Sequence, residues 1–144
     1  MVITQPQITP VNCTKKGFAH KQCYRNDADF KTQFFWNDFL VEYEIPKGFI
    51  YDGASIPWFL WSIIRVTPDG LHRAATILHD ALYIAKGKVA VLYLRRNEEL
   101  NITLSRKEVD QIFLQQMLFL GMPEKKAKLM YRGVRIFGGF INNF

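Results

Sequence analysis

The stretch LHRAATILHDALY, from Leu71 to Tyr83, decides the fold. Leu71, Ala75, Leu78 and Leu82 recur at helical spacing, so one face of a helix is apolar. His79 and Tyr83 are four apart and border that face, so both point at least partly into protein. Thr67 can cap this helix, Pro68 suits its first position and Gly87 suits its stop, which predicts a helix over 68–86.

Downstream, Ser105-Arg106-Lys107-Glu108 is a capping box, in which the Ser and Glu side chains satisfy each other's free backbone donors. It opens a helix expected over 105–120, closed by Gly121. Further helices are expected over 123–137 and 56–65, and the segment 88–104 as a variable hairpin or loop. Upstream, Phe39, Val41, Tyr43 and Ile45 alternate with Leu40, Glu42 and Glu44, as in a strand with one buried face. Pro46-Lys47-Gly48 supplies turn chemistry and Phe49-Ile50-Tyr51 a returning strand, so a β-hairpin is expected over 34–52. Residues 1–30 carry little period and are expected to be irregular. Strands first and helices later predict an α+β protein: N-terminal β-hairpins followed by a three- to four-helix core in a single domain, 1–144.

The composition agrees: 144 residues, 49% hydrophobic and 22% charged, describe a packed globule rather than a disordered chain. The longest apolar run, Ile56 to Ile64, is too short to cross a bilayer. The start carries no basic n-region and no apolar h-region, so no secretion signal is expected, and Cys13 and Cys23 are expected as free thiols. A net charge of +6 favours anionic partners or serves solubility alone. Walker, GxGxxG, GxSxG and HExxH motifs are all missing, so nucleotide hydrolysis, dinucleotide redox chemistry and serine hydrolysis lack support.

Chemistry concentrates on the two capped helices. Asp110 adjoins the apolar row Val109, Phe113, Met117 and Leu120. If the helices pack antiparallel, Asp110 can accept from a ring nitrogen of His79 and from the Tyr83 hydroxyl, a His-Asp dyad braced by a Tyr. Asp80 is rotated about 100° from His79 and faces another neighbourhood. With carbonyls of the loop at Asp52-Gly53, it would suit a hard cation such as calcium. The alternatives stay open: a satisfied polar network that fixes helix packing, a plain turn at Asp52-Gly53, and a helix cap at Ser55 before Pro57. The last helix, with Lys125, Lys126, Lys128, Arg132 and Arg135 beside Met130, Tyr131, Val134 and Phe137, could meet an anionic membrane or simply pack on the domain. Nucleic acid is a weaker expectation, resting on basicity alone.

The runs IPKGFIYDGASIP, HRAATILHDALY, SRKEVDQIFLQQMLFLGMP and LMYRGVRIFGG resemble a domain-of-unknown-function family of tailed phages and prophages. Its pattern falls here on Asp52, Gly53, Ala54, Ser55, Pro57, His79, Asp80, Leu82, Tyr83, Arg106, Asp110 and Phe113. More distantly, HD--Y on one helix, D--F on a later one and a preceding DG-S loop are similar to prokaryotic phospholipase A2. That likeness implies His79 as the base that activates water, Asp110 as its orienting carboxylate and Tyr83 as a brace. It also implies Asp80 with the Asp52-Gly53 loop as a Ca2+ site. The chain departs from it in having no Cys on either helix, a single Gly in the loop, and Arg106 placed to pair with Asp110 or Asp80. The resemblance thus implies a phage-encoded calcium-dependent lipid ester hydrolase. The alternative is a non-enzymatic virion or tail component, or an accessory protein binding a host target. Either would be found in the host cytoplasm after synthesis, or in the virion.

Overall fold

A computed structural model of the chain describes residues 1–12, 22–51, 72–142 and 144. Among the described residues, seven strands and three helices follow in the order β1 (Ile8–Asn12), β2 (Gln22–Asn26), β3 (Phe30–Trp36), β4 (Phe39–Ile45), β5 (Ile50–Tyr51), α1 (Arg73–Ile84), β6 (Lys88–Tyr93), β7 (Glu98–Thr103), α2 (Arg106–Phe119) and α3 (Glu124–Asn142). The strands form two antiparallel sheets, β1-β2-β5 and β3-β4-β6-β7, so the fold is α+β as expected.

The first half departs from expectation in its pairing. The hairpin closes at Asn37-Asp38, both at positive φ, between β3 and β4, with Trp36 opposite Phe39. A two-residue turn of this kind matches the twist of the strands it joins, and Asn and Asp tolerate it. The turn at Pro46-Lys47-Gly48 does form, with Phe49 N–H donating to the Pro46 carbonyl at 3.2 Å, but it sends the chain to the other sheet. There Tyr51 pairs with Tyr24 of β2 rather than with β4, whose two edges β3 and β6 already occupy. The supposedly irregular N-terminal segment supplies β1 and β2. Pro10 disguises β1, yet β1 is an edge strand, where a missing N–H is tolerated. Cys23, expected as a free thiol, is disulfide-bonded. The other cysteine, Cys13, lies outside the described residues, as do the expected helix over 56–65 and the Thr67-Pro68 cap.

The helical half keeps its local signals, although among the described residues α1 runs from Arg73 to Ile84 rather than over 68–86, and α3 runs on to Asn142 rather than ending at 137. Ser105 accepts from Glu108 N–H at 3.2 Å while Glu108 accepts from Ser105 N–H at 2.7 Å, the reciprocal cap that starts α2. Gly87 and Gly121 end α1 and α2 at positive φ. Gly87 has a second reason to lack a side chain, since a Cβ there would meet the Leu104 carbonyl oxygen at 1.9 Å. The segment after α1 is a full hairpin, β6 with β7, in register from Lys88–Thr103 to Tyr93–Glu98.

α1 is the centre of the molecule. Every residue from Ala74 to Tyr83 is buried, because the helix is shared by two apolar clusters. Ile77, Leu78 and Leu82 pack with Phe30, Phe34, Val41, Val91 and Ile102 of the four-stranded sheet. Ala75 joins Phe113 and Met117 of α2 and Ala127, Met130 and Val134 of α3. A helix covered on all sides must find partners for any polar group it carries, and that requirement builds the site.

Candidate active site

The polar groups of α1 meet those of α2 in antiparallel register. His79 Nε2 lies 2.8 Å from Asp110 Oδ1, and the Tyr83 hydroxyl donates to that same oxygen at 2.5 Å. His79 is also clasped between rings, its centroid 4.3 Å from Tyr83 and 4.5 Å from Phe113. The side chains of His79 and Asp110 are both 0% exposed, so the pair sits in low-dielectric surroundings.

The other carboxylate oxygen of Asp110 faces two arginines. Arg135 of α3 donates to Oδ2 at 2.8 Å, and Arg106 stands 3.7 Å away, one turn before Asp110. Arg106 mainly caps α3 backbone, donating to the Val134 and Arg135 carbonyls at 3.2 and 3.1 Å. It therefore occupies the Asp110 side of the site. Gly138 brings α3 in close: a Cβ at that position would lie 2.8 Å from the Tyr83 oxygen.

Burial by itself would raise the pKa of Asp110, but hydrogen bonds from His79, Tyr83 and Arg135 together hold it below the usual carboxylate value. Burial lowers the pKa of His79 despite the attraction of Asp110. The resting pair is therefore an anionic carboxylate beside a neutral imidazole. An anion can only accept, so Nε2 carries the proton and Nδ1 the lone pair. Burial and the neighbouring anion also raise the pKa of Tyr83, keeping its hydroxyl a donor.

These shifts set a pH dependence of stability. Below about pH 6.5 the unfolded chain protonates His79 while the folded chain resists, so stability falls as pH drops from 6.5 towards the folded value. Asp110, also depressed, adds a second loss below its ordinary value of 3.8. Urea midpoints measured from pH 8 down to about pH 5 should decline in the native chain, and His79→Gln should flatten that decline; an unchanged slope in the variant would show that His79 is not the titrating group.

Asp80, next along α1, is buried at 3% exposure and is rotated about 100° from His79 around the helix axis. Its field, with that of Arg73, acts on Tyr51 at the end of β5, whose pKa is raised chiefly by burial. Tyr51 directly precedes Asp52 in the chain, so Asp80 lies near the start of the predicted cation loop. Asp52, Gly53, Ser55 and Pro57 themselves lie outside the described residues. Among the described residues no cluster of three or more metal-ligating side chains occurs. A groove of about 260 Å³ between the β3–β4 turn and α2, lined by Trp36, Asp38, Glu108 and Gln115 among others, is separate from the dyad.

The structure brings His79, Tyr83, Asp110 and Arg106 together and adds Arg135, which the sequence by itself does not place there. By composition alone Arg135 belongs to the basic face of its helix. Its position beside Val134 and three before Gly138, on the border of the buried row, was the available signal.

A family profile described as "Protein of unknown function (DUF1353)" matches residues 29–134, which spans β3 to α3 and every dyad residue. The chain belongs to the DUF1353 family. An uncharacterized protein of Sinorhizobium fredii (strain NBRC 101917 / NGR234), y4jT, is 30% identical over 98 residues, covering 68% of this chain. The chain spans 24% of that relative's length. No solved structure matches it. The DUF1353 description assigns no activity, and the matched residues include His79, Tyr83, Arg106 and Asp110 but stop one short of Arg135. No described helix is long and apolar enough to cross a membrane.

Proposed function

We propose that this chain is a phage-encoded lipid ester hydrolase of the phospholipase A2 type, with His79 as its general base. One observation carries the reading: His79 Nε2 lies 2.8 Å from Asp110 Oδ1, with the Tyr83 hydroxyl on the same oxygen, an arrangement that suits a neutral imidazole donating from Nε2 to an anionic carboxylate. In that tautomer Nδ1 is the basic atom, and the carboxylate opposite stabilises the imidazolium that forms. His79 takes a proton from water as the water oxygen bonds to the ester carbonyl carbon. The same proton passes to the departing alkoxide as the acyl–oxygen bond breaks, giving a fatty acid and a lysolipid. Tyr83 and Phe113 fix the plane of the ring, and Arg135 and Tyr83 fix the carboxylate. Asp80 with carbonyls of Asp52 and Gly53 would hold Ca2+, which supplies positive charge for the oxyanion. A phospholipid surface is the partner this chemistry requires.

A second reading has its own support. Both dyad side chains are 0% exposed and both oxygens of Asp110 are occupied, as in a polar clamp joining three helices of a non-enzymatic virion or accessory protein. Fatty-acid release from phospholipid vesicles by the purified chain, in calcium and in chelator, separates the two. Calcium-dependent release supports the hydrolase; no release in either condition overturns it in favour of the clamp.

A further inference from the structure

α3 carries more apolar surface than its packing consumes. Ala127, Met130 and Val134 are buried against α2 and α1, which fulfils the ordinary role of an amphipathic helix. Leu129 and Ile136, seven apart and so on one line of the opposite face, stay 47% and 61% exposed. Lys125 and Arg132, each four residues before one of these two, run alongside as a parallel exposed row, and Lys126 and Lys128 are exposed on the same helix. Just before α3 begins, Leu118 and Phe119 at the end of α2 are exposed as well.

We propose that this outer face of α3 docks on an anionic lipid bilayer, with Leu129 and Ile136 entering the headgroup boundary and Lys125, Lys126 and Arg132 meeting lipid phosphates. Aliphatic side chains framed by cations are the composition that an anionic bilayer surface satisfies, since both kinds of contact form at one depth. A nucleic acid would satisfy the cations but would leave the aliphatic Leu129 and Ile136 side chains in water, which a bilayer boundary would not. A second copy related by two-fold symmetry would bring Lys125, Lys126 and Arg132 against themselves. The proposal deepens the lipid-directed reading above and rests on it for its purpose, but docking uses none of the dyad residues.

The test is vesicle co-sedimentation of the full chain, with phosphatidylcholine alone and with phosphatidylglycerol added. It is run with chelator in the His79→Gln background, so that turnover plays no part. Binding should need the anionic lipid and weaken as salt is raised. It should also fall at least about tenfold both in Leu129→Ser/Ile136→Ser and in Lys125→Glu/Arg132→Glu. Circular dichroism of these surface variants establishes that they fold. Lack of binding, equal binding to neutral vesicles, or full binding by either folded variant overturns the proposal. So does a native dimer that the Leu129→Ser/Ile136→Ser variant dissolves, because the face would then belong to a second copy. A docking chain without hydrolysis would leave the surface proposal standing while the catalytic one fails.

Discussion

Asp110→Ala should lower the stability of the fold by about 3–5 kcal/mol, read as a fall in urea midpoint. Asp110 accepts from His79 and Tyr83 on one oxygen and from Arg135 on the other. Removing it orphans two buried donors, at about 1–3 kcal/mol each, and leaves a void among α1, α2 and α3. The arginines contribute less to the loss, because Arg106 and Arg135 side chains are 23% and 29% exposed and can turn to water. Asp110→Asn keeps the shape and one acceptor, so it should cost less than Asp110→Ala. A loss under about 1 kcal/mol for the alanine variant would mean that the cluster does not hold the three helices together.

His79→Gln should cut fatty-acid release by at least about a thousandfold, or roughly 4 kcal/mol of transition-state stabilisation, with little change in circular dichroism. Glutamine is close to histidine in reach, and its amide N–H can replace Nε2 as donor to Asp110, so the carboxylate keeps its partner. It has no basic atom to take a proton from water, and that is the only role at stake. Equal rates in native and variant chains would sink the base assignment whatever the source of the activity. A thousandfold loss beside an intact fold would separate chemistry from packing, which Asp110 variants cannot do because Asp110 serves both.

The particular residues show where sequence suffices. The reciprocal cap of Ser105 and Glu108, the stops at Gly87 and Gly121, and the β6–β7 hairpin are all visible as short-range patterns. Each is a contact between residues close along the chain, whose geometry is set by local backbone conformation. The dyad was legible for a related reason: His79 and Tyr83 are one turn apart, Asp110 borders an apolar row, and two buried helix faces leave few ways to satisfy three polar groups.

Strand partners were a different matter. Pro46-Lys47-Gly48 forms its turn, but where Tyr51 pairs depends on which sheet edges remain open once β3 and β6 flank β4. The strand at Gln22–Asn26 likewise reflects its pairing between β1 and β5 rather than any local period. Arg135 joins Asp110 from 25 residues away because α3 is pressed on α1 through Gly138 and Tyr83. What the sequence by itself determined were the presence of α1, α2 and α3, the cap that opens α2, the glycine stops after α1 and α2, and the polar groups those helices would bury, since these follow from spacing within a few residues. The tertiary structure alone decided the pairing of the N-terminal strands and the arrival of Arg135 at Asp110, because both depend on which distant surfaces compete successfully for the same edge or the same carboxylate oxygen.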